Sequence, residues 1–308
     1  MIQAIDQLKL NFSPDSLILL NITLAFIMFG VALQLKSDNF KEVFRNPRSV
    51  IIGILSQFLL LPAATFLLIQ ISHPAPSIAL GMILVAACPG GNISNFISSL
   101  SRSNTELSVS LTAFSTIGAL VMTPLNFTFW AGLNDSTAAI LRKITLDPLS
   151  MFETVMVLLC IPLIAGIFIS KKFPGVTKKI TSPIRSISLV IFFAYIAIAL
   201  ASNFDALVKY FMVMASFVFI HNAMALVSGY VFGKSLGLAE RDSRTISIET
   251  GIQNSGLGLI LIFNFFDGLG GMAYIAALWG IWHLISGFLL ALYWSHRPVS
   301  ESPAGGHV

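Results

Sequence analysis

Charged residues are scarce in this chain. Asp, Glu, Lys and Arg make up 10% of its 308 residues, whereas soluble globular domains carry roughly 25%. Hydrophobic residues make up 56%, and the mean hydropathy is +0.85. This composition excludes an ordinary soluble domain and predicts an all-α polytopic membrane protein that has the lipid bilayer as its surroundings.

Cysteine is rare, and a cleavable leader is not expected. Cys88 and Cys160 lie inside apolar segments, so neither is expected to form a structural disulfide. Residues 1–15 contain charges and no small-residue cleavage pattern. We therefore expect an N-terminal segment at 1–15, a transmembrane domain at 16–295 and a disordered, Pro-, Ser- and Gly-containing tail at 296–308.

Nine apolar windows are long enough to cross a bilayer, since about 20 residues are needed. An odd number of spans places the two termini on opposite sides. The windows lie at 16–35, 49–71, 76–101, 104–130, 148–170, 185–203, 207–233, 243–266 and 269–294.

The basic residues predict the orientation. With the N-terminus outside, 14 of the 18 Lys and Arg residues lie at the inner ends of the predicted spans, and Lys9, Arg142, Lys143 and Lys209 lie outside. Because basic loops stay in the cytoplasm, we expect a multi-pass protein of the cell (inner) membrane, with its N-terminus outside and its C-terminus cytoplasmic. The sequence pI of about 9.1 then requires no nucleic-acid partner.

Two windows, 76–101 and 243–266, contain residues that interrupt a helix. The first has the Pro-Gly-Gly run at 89–91, and the second has Gly251 and the Asn-Ser-Gly run at 254–256. The orientation makes these two segments run in opposite directions. Broken helices in corresponding places indicate an inverted-repeat transporter with its site where the breaks meet. The groups would hold four and five helices, so one repeat would lack its first member; kinked helices in an unrelated bundle are the alternative.

Glu249 lies in the second broken segment, where a carboxylate is costly. The cost near the bilayer midplane is at least ~2.5 kcal/mol, and the nearest basic residue, Arg244, stands at the cytoplasmic end of the segment. A carboxylate beside loosened backbone is what a sodium or proton site requires. The alternative is a kinked helix in which Glu249 pairs with a partner elsewhere in the chain.

Other polar residues in the apolar segments can supply further ligands. Sodium takes roughly five or six hard oxygen ligands. Ser108 and Thr112 share one helix face, as do Glu249 and Gln253. A hydroxyl can instead bond the carbonyl four residues back, and Gln57 can join two helices. The candidate ligands besides Glu249 are Gln57, Ser94, Asn95, Ser108, Thr112 and Gln253.

The histidines do not indicate an enzyme. His221 and His283 lie in apolar segments, where a lone histidine is more often a hydrogen-bonded packing residue than a catalytic one. The predicted spans contain no Ser-His-Asp set, no His-Glu-x-x-His motif and no aspartyl pair. We therefore expect no enzymatic activity and no catalytic residue.

Three motifs carry a resemblance to the bile acid:sodium symporter (BASS) family, including its bacterial members. The resemblance extends from Phe29-Gly30 to Tyr293-Trp294. It implies a core domain with two crossing broken helices, a panel domain, and a substrate crevice between them. The motifs are Cys88-Pro89-Gly90-Gly91-x-x-Ser94-Asn95, then Leu107-Ser108-Val109 with Thr112, and Ile248-Glu249-x-Gly251-x-Gln253-Asn254-Ser255-Gly256-Leu257.

The resemblance also implies two sodium ions and a substrate site. Asn92 and Asn254 would contact the substrate, and Glu249 would serve both ions. A working monomer is implied as well. The first sodium site would consist of Ser94, Asn95, Ser108, Thr112 and Glu249, and the second of Gln57, Glu249, Gln253 and the backbone oxygens of Thr250 and Ile252.

Three features depart from the family pattern. Many bacterial members have ten helices, whereas this chain resembles the nine-helix animal members. Asn92 stands where bacterial members often have a smaller hydroxyl residue, and His283-Leu284 stands where family members tend to have His-Asn. The first departure affects the panel domain but leaves both proposed ion sites intact, and the second bears on the substrate contact at Asn92.

We interpret the chain as a sodium-coupled symporter that imports an organic anion by alternating access. The resemblance suggests a bile acid or a small carboxylate such as pantoate as substrate. A proton-coupled organic anion transporter, in which Glu249 titrates, is the alternative within the same class. A non-transporting membrane receptor or sensor is the alternative from another class.

Overall fold

A computed structural model describes residues 5–6, 14–33, 45–144, 148–201, 204–297 and 299. Within these ranges the protein is helical and contains no strand. The first half consists of α1 (Pro14–Ala32), α2 (Pro47–Ser72), α3 (Pro76–Ala87), α4 (Ile93–Leu100), α5 (Thr105–Gly132) and α6 (Asp135–Ile144). The second half consists of α7 (Pro148–Val155, Met156–Cys160 and Ile161–Lys172), α8 (Pro174–Ala201), α9 (Phe204–Ser235), α10 (Glu240–Gly251), α11 (Ser255–Phe265) and α12 (Gly270–Ser295).

Several helices have the length and composition of membrane spans. Among the described residues, five are long and apolar enough to cross a bilayer, and three shorter helices are also apolar. Large apolar side chains such as Ile18, Leu59 and Ile164 are exposed on the outer surface. An exposed apolar surface of this kind suits contact with lipid rather than water, so the architecture is that of a multi-pass membrane protein. The five long helices are Pro47–Ser72, Thr105–Gly132, Leu149–Lys172, Val208–Ser235 and Gly270–Ser295.

Two helical regions differ from the sequence prediction. The short helix α6 was not predicted, because its mixture of polar and apolar residues is not an apolar window. Helix α8 begins at Pro174, whereas the apolar window begins at 185. Hydropathy locates the apolar part of a helix but not the polar turns that extend it beyond the bilayer. The predicted tail at 296–308 lies almost wholly outside the described residues.

The interruption of both predicted segments is present. Helix α3 ends at Ala87 because Cys88, which precedes Pro89, is extended, with φ −71° and ψ 156°. Helix α10 ends at Gly251, and Ile252 is extended, with φ −108° and ψ 95°. Asn254 then caps α11 by accepting a hydrogen bond from the backbone N–H of Leu257 at 3.1 Å.

A π-helical turn at Ser56–Leu60 interrupts the regular hydrogen bonding of α2. Pro62 follows it and has no N–H to donate. The backbone N–H of Leu61 bonds the carbonyl of Ser56, five residues back, so the turn is wider than an α-helical turn. Gln57 lies in this turn and is buried.

The broken helices form the centre of the molecule. Helix α3 is buried from Ser77 to Ala87, and α11 is buried from Ser255 to Phe263. A helix that is apolar on all sides is stable only when other helices surround it; α3 packs against α2, α5 and α12, and α11 packs against α1 and α12. The breaks are therefore enclosed by protein rather than exposed to lipid, as freed backbone groups at membrane depth require.

Candidate functional site

The two breaks cross in contact with each other. Gly90 and Gln253 form an antiparallel bridge. The backbone N–H of Gly91 donates to the carbonyl of Ile252 at 2.7 Å, and the N–H of Asn254 donates to the carbonyl of Pro89 at 2.8 Å. Each break thus satisfies backbone groups that the other leaves free.

Five predicted side chains meet beside this crossing. Ser94 donates to Glu249 Oε1 at 2.6 Å, Ser108 donates to the same oxygen, and Thr112 lies 3.1 Å from Oε2. Ser108 also lies 2.9 Å from Asn95 Oδ1, and Thr112 lies 3.3 Å from it. Glu249 is 4% exposed. The structure therefore brings together the complete set of residues predicted for the first sodium site, which we call the oxygen cluster.

The oxygen cluster has fewer hydrogens than close contacts. Seven oxygen–oxygen approaches of hydrogen-bond length join its five side chains. Its three hydroxyl groups carry one hydrogen each, and a proton on the carboxyl group would add one more. With Asn95 Oδ1 facing the cluster, four hydrogens would then serve seven approaches, so several approaches lack a hydrogen of their own. A small hard cation relieves the resulting repulsion by binding several oxygens at once, which a single proton does not do.

Glu249 has no basic counterpart among the residues that the structure describes. The ion pairs on its helix, from Arg244 and from Lys234 of α9, go to Glu240 at 2.9 and 3.3 Å. The described residues also contain no group of three or more His, Cys, Asp or Glu side chains that could hold a metal ion. One carboxylate with hydroxyl and amide oxygens suits a hard cation such as sodium rather than zinc or copper.

The residues predicted for the second sodium site come together differently. Gln57 Nε2 donates to Gln253 Oε1 at 2.8 Å, and Gln253 Nε2 lies 3.2 Å from Gln57 Oε1. Gln253 Nε2 also donates to the carbonyl of Thr250 at 2.7 Å. The carbonyl of Ile252 accepts the hydrogen bond of the crossing. Amide hydrogens thus satisfy the oxygens of this group, whereas the oxygen cluster has too few hydrogens.

An open crevice lies against the crossing. Asn92 and Asn254, the predicted substrate contacts, both line it, together with residues of α1 and α12. They stand at the N-terminal ends of α4 and α11, where the first backbone N–H groups have no partner within the helix. None of the described residues that line this crevice is a Lys or Arg. Helix N-termini are therefore its main source of positive potential for an anion.

The two histidines occupy different surroundings. His221 is buried, lies 2.7 Å from Thr65 Oγ1, and packs edge-on against Trp279. His283 is also buried but lines the crevice. Packing was the favoured interpretation for both, and it accounts for His221; for His283 the structure adds a position beside the predicted substrate contacts.

Asn222 holds the site in place, although it was not among the predicted site residues. The side-chain amide of Asn222, in α9, donates to the carbonyl of Gly251 at 2.8 Å, and Ser286 donates to the amide oxygen of Asn222 at 2.6 Å. Asn222 thereby supports the last carbonyl of α10 at the break. The only signal in the sequence is an amide within an apolar helix, which is also typical of contacts between membrane helices.

A buried oxygen cluster beside a crossing of two broken membrane helices is the arrangement of an ion-coupled membrane transporter. The sequence model of the Sodium Bile acid symporter family matches residues 21–210, and the chain belongs to this family. Its members are transporters rather than enzymes, so the expectation of no enzymatic activity is confirmed, as is sodium-dependent transport.

Relatives with sodium in their names align with nearly the whole chain. The "Uncharacterized sodium-dependent transporter YocS" of Bacillus subtilis (strain 168) is 34% identical over 286 residues, which cover 93% of this chain and 85% of that protein. The "Probable sodium/metabolite cotransporter BASS1, chloroplastic" of Arabidopsis thaliana is 31% identical over 276 residues. That alignment covers 88% of this chain but 65% of the plant protein, so the chain spans less than two thirds of that relative.

Proposed function

We propose that this protein is a symporter that uses inward movement of sodium to import an organic anion, such as a bile acid or a small carboxylate, by alternating access. The observation that carries the proposal is the oxygen cluster around Glu249, where close oxygens outnumber the available hydrogens. This imbalance favours sodium over a proton as the coupling ion. The names of the relatives, which refer to sodium and to metabolites, agree with this choice.

Two sodium ions are proposed, one in the oxygen cluster and one at the paired glutamines. Glu249 contacts both ions. Its negative charge is then compensated by two positive charges, and not only by hydrogen bonds. To bind the second ion, the amide groups of Gln57 and Gln253 rotate so that their oxygens face the ion together with the carbonyl oxygens of Thr250 and Ile252. Binding there exchanges amide hydrogen bonds for ion–oxygen contacts.

The substrate is proposed to bind in the crevice at Asn92 and Asn254. These residues stand at two helix N-termini that point positive potential at an anion. Because no Lys or Arg is among the lining residues that the structure describes, the bound sodium ions behind the crossing supply the remaining attraction. Sodium binding therefore strengthens binding of the anion, and anion binding strengthens binding of sodium by the same factor.

The proposed architecture has nine transmembrane segments in an inverted repeat, with the crossing in a core domain that moves against a panel domain. The proposed orientation places the N-terminus outside and the C-terminus in the cytoplasm of the inner membrane. The working unit is a monomer in the lipid bilayer. The distribution of Lys and Arg supports the orientation, and the two interrupted segments support the inverted repeat.

Uptake into vesicles tests the coupling ion. We expect purified protein in liposomes to accumulate a radiolabelled carboxylate when sodium is high outside at equal pH, and to accumulate none with potassium in its place. The substrate is first chosen from organic acids that raise the melting temperature only when sodium is present. Full uptake driven by a proton gradient without sodium would instead support the proton-coupled alternative. Sodium-dependent binding without any accumulation would support a receptor.

Gln57→Leu tests the second ion. The substitution removes an amide that pairs with Gln253 but leaves the oxygen cluster intact. We expect the sodium dependence of uptake to fall from a Hill coefficient of about 2 to about 1, because one of two coupled sites is lost. Gln70→Leu, at the exposed end of the same helix, is the matched control and should keep the steeper dependence. A Hill coefficient that is the same in Gln57→Leu and wild type would contradict the second site.

A further inference from the structure

Ser98 in α4 has a buried hydroxyl group without a hydrogen-bond partner among the described residues. Other helical hydroxyls in this protein bond the carbonyl four residues back, as Thr116 does at 2.7 Å and Thr65 at 2.7 Å. Ser98, like Ser77 and Thr128, makes no such bond. It follows Ser94 by four residues, so both lie on one face of α4, and Ser94 belongs to the oxygen cluster.

The oxygen cluster and the crevice are separated by the crossing. None of the five residues of the cluster lines the crevice, whereas Gly91 and Gln253 of the crossing do. Gly91 bonds the carbonyl of Ile252, and its neighbour Gly90 lies against Glu249, so the backbone of the crossing stands between the two. The oxygen cluster around Glu249 is therefore not reached from this crevice in the described structure.

Polar groups continue from the oxygen cluster in one direction, between α4, α5 and α10. Ser98 lies one turn beyond Ser94, and Thr245 lies one turn from Glu249 on the same side, each turn being about 5.4 Å long. Thr245 donates to the carbonyl of Asn104 at 3.0 Å. Ser98 and Thr245 are both buried, so this polar row runs through the interior and not along the lipid surface.

The loop of residues 101–104 closes the far end of this row. Ser103 donates to the carbonyl of Ser98 at 2.8 Å, and Ser101 donates to the same carbonyl at 2.9 Å. The side chain of Asn104 donates to Asp242 Oδ1, at the start of α10, at 2.8 Å. These contacts cover the row with a short loop held by hydrogen bonds.

We propose that the sodium ion of the oxygen cluster leaves between α4, α5 and α10, with the Ser98 hydroxyl as a transient ligand and the 101–104 loop moving aside. The proposal rests on the proposed function, because it requires a cation at Glu249. As the ion leaves the oxygen cluster, the unpartnered Ser98 hydroxyl binds it transiently, one helical turn away, in place of one of the ligands that it has lost. The ion then leaves its site without passing through the crevice.

Rates and equilibria of sodium binding test this role. In proteoliposomes, we expect Ser98→Val to slow substrate-coupled influx of radioactive sodium about tenfold, because losing one ligand of a buried ion raises the barrier by roughly one hydrogen bond to a charged group. The sodium concentration that half-maximally raises the melting temperature should change less than twofold. Ser98→Thr, which keeps a hydroxyl, should retain the wild-type rate. Ser99→Val, at an exposed position of the same helix, should do so as well.

Separate outcomes contradict the route and the coupling ion. A wild-type influx rate in Ser98→Val, with sodium binding intact, would overturn the route while leaving the symporter proposal in place. No sodium effect on the melting temperature of the wild-type protein would overturn both. If Ser98→Val does not fold, Ser98→Ala decides the matter, since it removes only the oxygen and should slow influx in the same direction.

Discussion

Glu249→Gln is expected to abolish sodium-dependent uptake and the sodium-dependent rise in melting temperature. The carboxylate is the only charged group of the oxygen cluster, and three hydroxyl groups converge on it. Loss of a charged ligand at a buried site costs about 3 kcal/mol or more, which corresponds to a reduction in sodium affinity of about 100-fold or more. The measurement is substrate uptake by proteoliposomes as a function of external sodium.

The same variant has an effect of opposite sign when sodium is removed. A buried carboxylate without a cation or basic partner destabilises the folded protein, and glutamine removes that charge while keeping its shape. We therefore expect Glu249→Gln to melt at a higher temperature than wild type in sodium-free buffer. Glu106→Gln, at an exposed position of α5, should resemble wild type in both experiments. Sodium-driven uptake that survives Glu249→Gln would remove the basis of the proposed mechanism.

Gly90→Ala should raise the sodium concentration needed for half-maximal uptake about tenfold or more. A Cβ atom at Gly90 would lie 2.9 Å from Glu249 Oε2 and 3.6 Å from Ser115 Oγ. The carboxylate must therefore move away from the hydroxyl groups that hold it, and displacements well under 1 Å weaken a site of fixed geometry. The measurement is again uptake against external sodium, with the amount of folded protein checked by size-exclusion chromatography.

Gly132→Ala is the matched control for this substitution. A Cβ atom there meets nothing within 4 Å, and within a helix alanine is more stabilising than glycine by about 0.5–1 kcal/mol. We expect normal sodium dependence and a melting temperature no lower than that of wild type. Equal sodium dependence in Gly90→Ala and Gly132→Ala would mean that the Glu249 carboxylate is not held where the structure places it.

The polar members of the site could be predicted because they are conspicuous in apolar segments. Glu249 stands out because a carboxylate is costly in an apolar segment, and Ser108 and Thr112 stand out because their spacing puts them on one helix face. The first interruption follows from the chemistry of Pro89 and the two glycines after it. The meeting of these polar residues depends on contacts between residues more than a hundred positions apart, such as Ser94 with Glu249. Spacing within one helix cannot supply that information; here it came from the family resemblance.

Other features were beyond sequence patterns for physical reasons. The register of the crossing, in which Gly90 faces Gln253, is made by backbone atoms that every residue carries. The role of Asn222 depends on which carbonyl its amide meets. The start of α8 at Pro174 lies in polar sequence that an apolar window cannot detect.

The crossing also has a mechanical consequence. Its two hydrogen bonds, from Gly91 and from Asn254, join main-chain atoms alone, so α3 with α4 and α10 with α11 are tied at one point near their middles. A movement that preserves both bonds is a rotation of each helix pair about this point. The two halves of each helix pair then move in opposite directions, so a tilt that widens the space at one membrane surface narrows it at the other.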